Sequence, residues 1–190
     1  MNPFVNADVP RRAQVFVVLG VLLGAAFSGM LVLFLVGEIL SDPGGTQGAL
    51  LVTAWLVLPL ILSILALVRP AAAYPALVGV VGLVVLASLV TIPLASAVWE
   101  FEDTRGPINL LVLIGALIPL VALGRAMPAR AGWLMIVLIA GSMLFQSVSL
   151  LLVGQWSVVL VFVVLMPPYV AAAVLFVIAG FKSRDVTQGT

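Results

Sequence analysis

The sequence predicts an all-α integral membrane protein, a bundle of six transmembrane helices in antiparallel sequential hairpins with short loops. Three observations carry this. Of 190 residues, 64% are apolar and only 8% charged, against about 45–50% and about 25% in a soluble domain. Mean hydropathy is +1.37, whereas a water-soluble chain of this length needs far more polar surface to cover its core. The charges are also confined to short segments that separate six long apolar runs.

A helix rising about 1.5 Å per residue needs roughly 17–25 apolar residues to cross a hydrocarbon core about 30 Å thick. Such runs fall at residues 15–37, 49–68, 75–98, 108–124, 131–153 and 156–181. Arg11 and Arg12 imitate the start of a secretion signal. The apolar stretch behind them continues from Val15 to Val36, past a signal core of about 7–15 residues, and no small-x-small cleavage motif closes it. It is therefore read as the first span. The fourth run is the shortest. Residues 1–13 and 182–190 are read as short tails, and no separate soluble domain fits between the runs, so 1–190 is one transmembrane domain.

With six spans the termini share a side and the loops alternate. One side carries Arg11, Arg12, Arg69, Arg125, Arg130, Lys182 and Arg184. The other carries Arg105 alone, with Glu38, Asp42, Glu100, Glu102 and Asp103. The excess of cations on cytoplasmic loops then predicts both termini in the cytoplasm of a plasma-membrane protein. Seven Arg against one Lys, with abundant Ala, Val, Leu and Gly, point to a GC-rich bacterial source. Trp99, Trp133 and Trp156 fall at predicted helix ends, where aromatic residues favour the interface. Pro107 suits the first turn of the fourth helix.

The outer loop WEFEDTRGPIN concentrates charge. Carboxylates suit Ca²⁺ or Mg²⁺, but the spacing matches no cation-loop motif. We read the loop as a solvated cap. Within it Arg105 is expected to grip a carboxylate with two parallel hydrogen bonds, and Glu38, at the end of the first helix, is the candidate that would tie two hairpins together.

The absences are equally informative. Cys and His are both missing, which removes disulfides, thiolate metal sites and the commonest general base and haem ligand. No metal or other cofactor is expected. Net charge is +1, so no field favours nucleic acid. No Asp, Glu, Lys or Arg falls near the middle of a predicted span, as a proton pump or voltage sensor needs, and no Ser–His nucleophile can form. The chain is not expected to be an enzyme.

What remains is mild polarity and proline. Ser142, Gln146 and Ser149 share one face of the fifth helix by their i, i+4, i+7 spacing. They serve either as interhelical glue or as the lining of a small-solute path, and glue is preferred. Gly20, Gly24 and Ser28 form a small-residue ridge on the first helix that lets another backbone approach closely, within the bundle or from another subunit. Pro59, Pro119 and the pair Pro167–Pro168 lie within the three even helices as kink candidates. Each removes a backbone donor four residues after Trp55, Gly115, Val163 and Val164 respectively. Pro93 lies near the outer end of the third helix. A threefold hairpin repeat would put a proline in each even helix, but the spacing from proline to the next cation is uneven (Pro59 to Arg69, Pro119 to Arg125, Pro168 to Lys182), so the residues do not establish a duplication.

The expected role is that of a non-catalytic accessory or scaffold subunit, in contact with the bilayer and with other membrane subunits or itself. The alternative is a passive or facilitative carrier of a small neutral or apolar solute.

Overall fold

The computed structural model describes residues 11–41, 45–94, 96–97, 108–153 and 163–188. Among them are six α-helices and one 3₁₀ turn: α1 (Arg11–Ser41), α2 (Gly45–Val68), α3 (Pro70–Val90), the turn Ile92–Leu94, α4 (Ile108–Gly124), α5 (Pro128–Val153) and α6 (Pro167–Gln188). The acidic outer loop, Trp99, Arg105, Pro107 and Trp156 lie outside the described residues, as do the side chains of Glu38 and Ser149, so the Arg105–Glu38 pair is not observed.

By length and composition three helices suffice to cross a membrane. Ala13–Phe34 has mean hydropathy 2.5, Pro70–Val90 has 2.3 and Pro128–Val148 has 1.8, and all three belong to the odd-numbered helices. The apolar stretches Thr53–Val68, Leu110–Gly124 and Pro167–Ser183, in the even-numbered helices, are shorter, at 10–17 residues.

Proline sets several boundaries. α3 begins at Pro70 and α5 at Pro128, where the missing N–H belongs to the first turn and needs no intrahelical partner. α3 thus starts five residues before the expected 75, and Arg69 alone separates it from α2. The Arg69 N–H closes α2 on Leu65 O at 2.8 Å, while its carbonyl accepts the Ala72 and Ala73 N–H groups at 3.0 Å. α3 also stops at Val90, short of the expected 98. Pro93 has no N–H to donate to Leu89 O, four residues earlier, and sits in the 3₁₀ turn, while the Thr91 hydroxyl donates to Ala87 O at 2.9 Å. Pro59 and Pro119 lie inside α2 and α4. Pro167 instead opens α6: Met166 forms a bend after the helical residues 163–165, so the helical path is interrupted where an internal kink was expected. α6 then continues past Phe181, where a tail was expected, to Gln188.

The shortest apolar run of the sequence occupies the centre. α4 packs against α1, α2, α3 and α5. Leu113, Ile114, Leu117, Leu120 and Leu123 on α4 are at most 1% exposed. The most extensive interfaces are α1 with α6, α5 with α6, and α2 with α4, so two of the three join helices that are not neighbours in sequence. Where α2 meets α4, the Trp55 indole lies over Gly115: a Cβ on that glycine would stand 3.1 Å from Trp55 Cζ2. Trp55 and Gly115 are the residues whose carbonyls Pro59 and Pro119 leave without a helical donor. The two proline-containing helices therefore touch at corresponding points, four residues before each proline.

The direction of the helices follows from the order of contacts. Along α1, Phe16 meets Lys182, Gly20 meets Phe176 and Ser28 meets Tyr169, in reverse order along α6. Gly132 on α5 faces Ala173 and Val177, and Ala129 faces Gly180, so α5 and α6 also run oppositely. Tyr74 pairs with Arg130 and Val85 with Gly141, so α3 and α5 run the same way. The Phe16, Tyr74, Arg130 and Lys182 side chains thereby gather at one end of the bundle. There the Arg130 Cζ lies 4.8 Å from the Tyr74 ring centre and the Lys182 Nζ 4.5 Å from that of Phe16, both within cation–π range.

Candidate functional site

Polar chemistry in the interior is sparse and localised. Ser28, Ser142 and Gln146 are the buried polar residues among those described, and no Asp, Glu, Lys or Arg is buried with them. They fall into two places.

The first joins α1 to α6. The ridge Gly20, Gly24, Ser28 faces the bundle. A Cβ on Gly20 would stand 2.7 Å from Phe176 Cε1, and one on Gly24 would stand 2.6 Å from a Val121 methyl. Gly124 on α4 faces the same Phe176 ring, so one fully buried aromatic seats in notches on two helices. One helical step further, Ser28 Oγ and the Tyr169 hydroxyl are 2.9 Å apart. Tyr169 is 0% exposed, and its ring meets Phe27 edge-on at 5.3 Å and 77°, a favoured aromatic geometry. A buried phenol requires a partner because hydrocarbon supplies none, and Ser28 is that partner. Sequence reasoning singled out Ser28 and missed Tyr169. The signal available was a lone Tyr within an apolar run.

The second place lies between α3 and α5. A cleft of about 240 Å³ is bordered by Ser88 of α3 and Thr91 just beyond its end, Val112 of α4, and Ser142, Phe145 and Gln146 of α5. Gln146 is 2% exposed, yet its Oε1 has no hydrogen-bond partner among the described residues. The nearby hydroxyls are committed to their own helix: Ser88 donates to Val84 O at 2.9 Å, and Thr91 to Ala87 O and Ser88 O at 2.9 and 3.1 Å. Two members of the predicted polar stripe, Ser142 and Gln146, are thus brought to one cleft. The polar residues Ser88 and Thr91 that complete it were not singled out in the sequence, because each reads locally as an ordinary back-bonded hydroxyl.

Pro59 and Pro119 flank the Trp55–Gly115 contact, and Pro167 and Pro168 form the first turn of α6. Among the described residues no cluster of His, Cys, Asp or Glu could hold a metal ion. No family model matches the chain, and no curated protein or solved structure matches it.

Proposed function

We propose that the chain is a non-catalytic, six-span protein of the plasma membrane with both termini in the cytoplasm. In this reading it works as an accessory or scaffold subunit through helix–helix contacts. The observation that carries the role is a division among its glycines. Gly20, Gly24, Gly115, Gly124, Gly132, Gly141 and Gly180 each abut a side chain or backbone of another helix, whereas a Cβ on Gly29, Gly79 or Gly82 would meet nothing within 4 Å among the described residues. Small residues on membrane helices are notches for close approach, and those three notches face outward from α1 and α3. The six-span topology is supported by the opposed running of α1 and α6, and of α5 and α6, and by Arg130 and Lys182 lying at one end, the end that the cation bias would put in the cytoplasm.

A photo-crosslinking residue at Gly29 or Gly79, in native membranes, tests the role. A discrete protein adduct is expected at one of them and not at the lipid-facing Val68 of α2. Lipid adducts alone at both glycines would end the scaffold reading.

One observation favours the second reading, a facilitative carrier: the unpartnered Gln146 Oε1 beside a cleft. Against passage stands size, since about 240 Å³ is the volume of a pocket and falls short of a path through a core about 30 Å thick.

A further inference from the structure

We propose that the cleft between α3 and α5 is a binding site for a small neutral amphiphile that presents an alcohol hydroxyl to Gln146. This goes beyond the scaffold reading, because it needs neither a partner subunit nor passage across the membrane. The unpartnered Oε1 of Gln146 is an acceptor, 2% exposed, and leaving such a group without a donor in an apolar surrounding costs free energy. Gln146 borders the cleft, so turning its terminal amide about the last, broadly populated torsion brings Oε1 to a donor seated there.

The rest of the lining selects the ligand. No charged side chain borders the cleft among the described residues, so an ammonium or a carboxylate would be desolvated there without a counter-charge from them. A ketone or ether has no donor for Oε1. A hydroxyl donates to Oε1 and keeps lone pairs for a neighbouring hydroxyl or amide N–H. Val84, Val112 and Phe145 offer apolar surface for the remainder of the molecule. The cleft opens past Leu83 and Val112, which are 67% and 40% exposed, so entry is from the apolar surroundings of the bundle. Its volume, about 240 Å³, exceeds the roughly 150 Å³ that suffices for a benzene ring. The same chemistry belongs to a lipid alcohol of the diacylglycerol kind and to a free aromatic or alkyl alcohol.

The test uses the whole chain in phosphatidylcholine nanodiscs, with ¹⁹F NMR of 4-fluorobenzyl alcohol and its hydroxyl-free counterpart 4-fluorotoluene, each against empty discs. The alcohol should bind saturably to protein-bearing discs and at least about tenfold more tightly than the toluene. Gln146→Met, which keeps side-chain length and removes the amide, should lose about tenfold in affinity. Ala87→Leu, which narrows the cleft and leaves Gln146 in place, should lose binding as well, and it carries the test if the first variant fails to fold. Dioleoylglycerol doped into the discs displaces the probe if a lipid alcohol is the occupant and leaves it bound if the occupant is a free small alcohol. Absence of saturable binding, equal affinity for the toluene, or unchanged binding in the variants would overturn the assignment. None of these outcomes depends on the crosslinking at Gly29 and Gly79.

Discussion

The ring of Phe176 occupies the space into which a side chain on Gly124 would project. That contact seats α6 against the central helix, and Gly20 of α1 faces the same ring. Lipid tails are as apolar as the interior, so shape complementarity of this kind holds membrane helices together where water would otherwise supply the drive.

Glycine substitutions should therefore differ by position. Gly124→Ala forces a fully buried ring to move and should destabilise by about 1–3 kcal/mol. Gly115→Ala asks the Trp55 ring to shift by a few tenths of an ångström and should cost less. Gly29→Ala meets empty space and should be neutral or gain up to about 1 kcal/mol from helix propensity. Reversible unfolding in mixed micelles measures all three, and equal effects at Gly29 and Gly124 would contradict the packing described.

The Ser28–Tyr169 hydrogen bond should appear as coupling between the two sites. Ser28→Ala and Tyr169→Phe each leave one buried hydroxyl unpaired, while the double variant removes both. A double-mutant cycle in the same unfolding experiment should give about 0.6 kcal/mol of interaction, with an upper bound near 1.7 kcal/mol. Strict additivity would mean that the two hydroxyls do not bond in the membrane.

Gln146→Leu probes the opposite situation. The wild-type amide leaves its oxygen without a partner among the described residues, so an apolar replacement removes a desolvation cost and should leave stability unchanged or raise it by up to about 2 kcal/mol. A loss of stability above that magnitude would show that the amide acts as glue between helices, as the sequence pattern alone suggested.

Topology is open to a direct chemical test, because the chain has no native Cys to react. Single cysteines at Thr46, Thr104 and Gln155 should be labelled in intact cells by an impermeant maleimide, and one at Met127 should be labelled only after the cells are opened. Labelling of Met127→Cys from outside would reverse the proposed arrangement.

The sequence by itself determined that this protein is helical and apolar, and where several of its helices start and stop. In hydrocarbon each backbone group must be satisfied within its own segment, so long apolar runs carry that information locally, whereas the starts at Pro70 and Pro128 and the stop before Pro93 differ from the expected spans of 75–98 and 131–153. The extent of α4 is legible in the same way, from a run bounded by Pro107 and Arg125. Which face of a helix turns inward is not legible, because the exposed and the buried residues of these helices are alike apolar and the hydrophobic period falls silent. Only small or polar residues break that symmetry, so the ridge at Gly20, Gly24 and Ser28 and the pair Ser142 and Gln146 could be read. Their partners, Phe176, Val121, Tyr169, Ser88 and Thr91, could not. Tertiary structure alone decided that the shortest helix lies at the centre, that α6 closes onto α1, and that Gln146 ends at an open cleft. Those outcomes depend on side-chain shapes meeting across long separations in the chain, and nothing in the local sequence records them.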